Sequence, residues 1–195
     1  GNEKKTDVMS ALIAVARSLS GRLNLEFKDK TMPIEVTQPS DREVRVTRTF
    51  NAPRQLVWNA HTKPALVQKW QLGPPGWDMP VCDMDVRVGG AYKWRWKSQQ
   101  DGKQFGFHGT FIEVNEPSKL VHEEYYDPGD IGGTMPVSEP CIVTLELSEQ
   151  GGVTTLVCTM KFASKEMRDG AVSTGMTDGM EMGYERLDEM FLKAA

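Results

Sequence analysis

The chain has 195 residues, 39% of them hydrophobic, with 23 Lys and Arg against 27 Asp and Glu for a net charge of −4. That length suits one domain with a real core plus an appendage; no clustered basic surface speaks for a nucleic-acid partner, and no apolar run approaches a membrane span. Cys82, Cys141 and Cys158 are far apart, odd in number and without a CxxC pair, so free thiols and a reducing, cytoplasmic setting are expected.

Residues 1–41 read as an N-terminal extension. Val8, Leu12, Val15, Leu19 and Leu23 recur at helical spacing, which predicts an amphipathic helix over 7–20 closed by Gly21. The apolar run is too short, and Arg17 interrupts it too soon, for a secretory signal. Such a helix docks on the domain or on a second copy, giving a possible homodimer. The polar stretch from Lys28 to Ser40 carries two prolines and reads as a linker.

The domain proper is expected over 42–195. In Glu43–Phe50, Val44, Val46 and Arg48 alternate with Arg45, Thr47 and Thr49, the pattern of a strand. Pro53 then opens a helix whose inner face is Leu56, Val57 and Ala60. Pro64 starts a second short helix that ends near Trp70. From Met79 onward strands follow one another. Cys82, Met84 and Val86 alternate with Asp83, Asp85 and Arg87; Gly89-Gly90 is a turn; Tyr92, Trp94 and Trp96 then share a face. Asp101-Gly102 is a hairpin signal. Phe105, Phe107, Gly109 and Phe111 continue the alternation, and 115–118 is the next turn. Leu120–Tyr126 is a strand, 127–140 a Gly- and Pro-rich loop placed to act as a lid, and 141–147 with 154–162 a last hairpin.

From Ser164 to the end the pattern is one long helix of about 43 Å, with Ser164 as its N-cap. Val172, Met176, Met180, Gly183, Tyr184, Leu187, Met190 and Phe191 fall on one side; Asp178, Glu181, Glu185, Asp188 and Glu189 fall on the other. Gly183 lies near the middle of the apolar face. It serves either close backbone packing against a strand or a helix that covers a sheet without filling the space beneath it. Strands joined by short turns imply an antiparallel sheet. The expected architecture is therefore α+β: a curved sheet of six to seven strands, two short helices after the first strand, and a long C-terminal helix across the sheet.

Metal or nucleophilic chemistry finds no support. His61, His108 and His122 have no zinc-ligand spacing. His61 ends a helix, where a cation is favoured, and His108 and His122 are expected on solvent faces. The cysteines sit among apolar neighbours without a basic partner. Asp85 and Arg87 read as a structural ion pair. Glu123 and Glu124 must point to opposite faces of their strand, so at most one faces inward, where burial would suit it to act as a base. No catalytic residue, metal or cofactor is assigned.

The aromatic residues are the strongest functional feature. Trp58, Trp70 and Trp77 come from the first half, Tyr92, Trp94, Trp96, Phe107, Phe111 and Tyr125 from the strands. With Met160, Phe162, Met176, Met180, Gly183, Tyr184 and Leu187 they describe a wide, soft, apolar wall. These residues are the candidate ligand-binding set.

Several strings then form an ordered resemblance over about residues 42–193. Phe50, Ala52, Pro53, Val57, Trp58 and Ala60 precede a proline-started helix ending in Trp70. DVRVGGAYKWRW, FHGTFIEVNEPSKLV and TGMTDGMEMGYERLDEM follow in order. Together they resemble the START-like, helix-grip superfamily, in the branch named for the activator of the heat-shock-protein-90 ATPase. The resemblance implies a cavity between sheet and long helix. It implies binding of a small hydrophobic molecule, aromatic, lipid or polyketide-like. Two other functions occur in the superfamily: cyclase- or hydratase-like catalysis needing a buried acid–base pair, and stimulation of a chaperone ATPase. True chaperone activators carry a further N-terminal domain, which residues 1–40 do not resemble.

Overall fold

Alternation of apolar residues builds the sheet and sets which face is inward. The computed structural model describes residues 32–132 and 139–194; the helix expected over 7–20 lies outside them. Its strands are β1 (Glu35–Thr37), β2 (Glu43–Phe50), β3 (Trp77–Met84), β4 (Ala91–Ser98), β5 (Gln104–Asn115), β6 (Lys119–Asp127), β7 (Cys141–Gln150) and β8 (Val153–Lys161). All pair antiparallel in the order β1-β2-β8-β7-β6-β5-β4-β3. The sheet thus has eight strands rather than six to seven. The additional one, β1, is three exposed residues within the polar stretch read as a linker, paired to β2 from Glu35 opposite Thr47 to Thr37 opposite Arg45.

Register carries the inward face across the sheet in continuous rows. Val44, Met160, Val143, His122 and Phe111 lie opposite one another in turn; Val46, Cys158, Leu145 and Leu120 form the next row. Val44, Val46 and Phe50 are fully buried, and side chains of this size each contribute about 1.5–3 kcal/mol when buried. At the other end, Tyr92, Trp94 and Trp96 all face inward. Gly109, opposite Tyr92, has to be glycine. A Cβ there would meet the Glu123 carbonyl oxygen at 1.8 Å and the Tyr92 ring at 3.1 Å. The Tyr92 hydroxyl passes over it to donate to that carbonyl at 3.0 Å.

Two short helices, α1 (Arg54–Thr62) and α2 (Pro64–Trp70), follow β2. Val57, Trp58 and Ala60 are the buried face of α1, while Leu56, expected inward, is 42% exposed. The Trp70 indole donates to Ala60 O at 2.9 Å and fastens the pair.

The C-terminal segment is two helices, not one. Ser164 caps α3 (Lys165–Ser173), its hydroxyl accepting from Met167 N. Gly175, at φ +78°, then separates α3 from α4 (Met176–Ala194). Left-handed backbone favours glycine, and the apolar periodicity runs across the break, which is why the sequence reads as continuous. Gly183 packs against Trp70, where a Cβ would lie 3.3 Å from the indole ring. Close approach is therefore its role, against a helix rather than a strand.

Glu181 and Asp188, expected on the solvent side of this segment, turn inward instead. Arg48 is inward on β2 and 2% exposed, and a buried guanidinium requires partners. It donates to Asp188 Oδ2 at 2.5 Å and lies 3.6 Å from Glu181 Oε1. Burial pushes the Asp188 carboxyl up to about 6, against the opposing pull of Arg48.

Candidate functional site

Where α3 and the start of α4 pass over β6, β7 and β8, the interior is not filled. A cavity of about 100 Å³ remains, bounded by Phe107, Tyr126, Cys141, Met160, Phe162, Met167, Ala171, Thr174 and Met176, with Glu124 and Glu139 on its wall. The sheet supplies its floor by register: Phe107 lies opposite Tyr126, and Glu124 opposite Cys141. Phe107 and Tyr126 meet at a ring separation of 5.4 Å and make an aromatic corner. Three methionines form most of the flexible wall; their unbranched thioethers adapt to irregular shapes.

Of the residues nominated from sequence, Phe107, Met160, Phe162 and Met176 border this cavity. Tyr92, Trp94 and Phe111 instead pack together further along the sheet, and Trp96 stacks on Phe105. Trp77 meets Phe105 edge-on. Trp70 stacks on Tyr184 beside Gly183, Trp58 and Leu187 are core, and Met180 packs against that core. Tyr125 faces the other way. It stacks on His108 over the outer side of the sheet, beside a shallow, solvent-open hollow of about 610 Å³ that also borders Lys93, Thr110 and Asp127.

The polar members of the inner site were only half foreseen. Glu123 points outward and accepts from the Thr110 hydroxyl at 3.1 Å; Glu124 is the inward one. His122, expected on a solvent face, is 6% exposed on the inner side. It is enclosed by Tyr92, Trp94 and Phe111. Its Nε2 lies 3.6 Å from Glu124 Oε2, and neither ring nitrogen has a hydrogen-bond partner among the described residues. The available signal was parity: His122, Glu124 and Tyr126 share the strand phase of Leu120, an inward position.

The other titratable groups are structural. His61 is no helix-end cation: burial lowers its pKa to about 4, while Nδ1 donates to Val57 O at 2.7 Å and the ring lies against Trp70. Cys82, Cys141 and Cys158 are buried free thiols. Burial pushes Cys82 up to about 11 and Cys158 to about 12, and moves Cys141 in the same direction. Thiols so protonated are poor nucleophiles. Asp85 and Arg87 pair at 2.8 Å in an exposed position, where an ion pair contributes little.

The sequence pattern of the family described as "Activator of Hsp90 ATPase homolog 1-like protein" matches residues 51–191. The chain belongs to this family. Among solved structures it is similar to a protein from Rhodobacter sphaeroides, with 28% identity and a TM-score of 0.73 over 83% of this chain and 99% of that one. A protein from Arthrobacter aurescens aligns with 21% identity and a TM-score of 0.71, covering 83% and 93%. CalU16 from Micromonospora echinospora aligns with 22% identity and a TM-score of 0.57, covering 84% and 76%. The last two likenesses concern the fold. No curated protein sequence matches the chain. Among the described residues, no helix of this family member is long and apolar enough to cross a membrane.

Proposed function

We propose that this family member binds a small, predominantly apolar molecule between the inner face of its sheet and α3. The observation that carries the reading is the unfilled space beneath α3, walled by Phe107, Tyr126, Phe162 and the methionines at 160, 167 and 176. Small-molecule sites are concave and mostly apolar, with a few polar groups. At about 100 Å³, the cavity is smaller than the roughly 300–1,000 Å³ of sites for drug-sized ligands. A larger ligand therefore displaces Met167 and Met176, and the break at Gly175 lets α3 move without bending α4.

Native mass spectrometry of freshly purified protein, with analysis of anything released on denaturation, tests this directly. The expected result is a stoichiometric apolar molecule, or saturable uptake of the neutral dye Nile red by empty protein. A clean unliganded mass together with no dye uptake overturns the reading.

One observation favours a second use of the same cavity, in cyclase- or hydratase-like catalysis. That chemistry needs an acid–base pair at the cavity, and Glu124, half-buried on its wall, lies 3.6 Å from the buried His122. Turnover of a candidate substrate that Glu124→Gln abolishes, with binding retained, distinguishes catalysis from carriage.

A further inference from the structure

The charge on the cavity wall says what kind of apolar molecule fits. No lysine or arginine borders the cavity among the described residues; the carboxyl side chains on its wall are Glu124 and Glu139. An ionised carboxylate accepts hydrogen bonds and donates none. Among the described residues nothing donates a hydrogen bond to Glu124, whose charge contact is His122 at 3.6 Å. Behind it, His122 is more than nine-tenths buried with both ring nitrogens unpartnered. Native structures rarely leave such groups unsatisfied, so this end of the cavity holds polar capacity that the protein itself does not use.

Resting on the binding reading above, we propose that the ligand is an apolar amine whose ammonium group donates to Glu124. Its hydrocarbon body lies against the methionines. The Phe107–Tyr126 corner presents aromatic faces, which attract a cation electrostatically. A fatty acid or other carboxylate is disfavoured by the same wall: its head would face two like charges with no guanidinium or ammonium to receive it. Near-neutral apolar ligands gain the hydrocarbon contact but leave Glu124 unanswered.

Three probes with closely similar bodies separate the terms: 2-phenylethylamine, 3-phenylpropionate and propylbenzene. Affinities are measured at one pH and ionic strength by calorimetry, with methyl spectra of the methionines to locate the probe. The amine is expected to bind about tenfold or more tighter than the neutral probe, with the carboxylate weakest. Glu124→Gln is expected to erase the amine's advantage and leave propylbenzene unaffected. Equal binding of all three, or a preference for the carboxylate, overturns this inference while leaving the cavity reading intact. Failure of all three, with no uptake of Nile red, removes both. The wild-type comparison of head groups needs no variant, so a poorly folded Glu124→Gln protein leaves the inference testable.

Discussion

The two ends of the C-terminal cover treat the sheet differently. Along the later turns of α4, contact is close: Leu187 is fully buried, Tyr184 meets Phe50 edge-on and Trp70 face-on, and Arg48 finds two carboxylates. Along α3, the same sheet meets flexible methionines, a cavity and Glu124, a carboxylate that lies 3.6 Å from His122. A close-packed interior resists changes of even one methylene, whereas a methionine-lined gap tolerates them. One end therefore holds the fold and the other leaves space between helix and sheet.

Substitutions on the two sides should diverge. Asp188→Ala should have the largest effect, about 3–5 kcal/mol in urea unfolding, because it strips a buried guanidinium of a close carboxylate partner; a loss below about 1 kcal/mol would mean that the remaining partners of Arg48, Glu181 and the Thr49 carbonyl among them, suffice. Leu187→Ala should cost about 3 kcal/mol, and Met176→Ala at the cavity wall about 1 kcal/mol. Comparable losses at these two positions would erase the distinction between the ends. The glycines sharpen it further. A Cβ added at Gly179 would stand in open space, so Gly179→Ala should stabilise by about 1 kcal/mol, while Gly175→Ala at φ +78° should destabilise by a similar amount. Thermal melts that move the same way for both would contradict the helix break.

The smallest expected effect is the net pH dependence of the native protein, because two groups on the packed side, His61 and Asp188, act in opposite senses. The folded pKa of His61 is lowered to about 4 from an ordinary 6.5, so between these values the unfolded chain binds the extra proton. Its contribution to stability is present above about pH 6.5 and is lost as pH falls toward 4. Asp188 acts in the opposite sense: its raised pKa, about 6, makes stability fall as pH rises from about 4 to 6. Unfolding free energies of His61→Phe across this window should show the first slope removed and the second exposed; a profile parallel to wild type would place His61 in water.

Much of this was legible in the sequence because it is periodic. Val44, Val46 and Arg48 announced the inward face of β2, and Asp101-Gly102 announced the β4–β5 hairpin. What escaped was set by tertiary partners. β1 is short and polar, and only β2 makes it a strand. Gly175 sits inside an unbroken apolar stripe, so the stop was invisible to a reading by period. Aromatic content pointed toward a cavity wall, yet most of those rings pack on one another, since bulky rings near a curved sheet fill space before they leave any. Glu181 and Asp188 read as solvent-facing because a helical projection does not know that a buried arginine waits on a strand 140 residues away in sequence.

The cover of the cavity is also fastened from the far end of the domain. Arg168 on α3 is 5% exposed, donates through Nη1 to the Gln38 side chain at 2.9 Å and to Ser40 O at 3.3 Å, and holds Asp169 through Nε. Residues that enter the chain before the second strand thus act as the latch on a helix laid down at its close. A sheet complete in itself but without that latch would lack a fastened roof over the cavity.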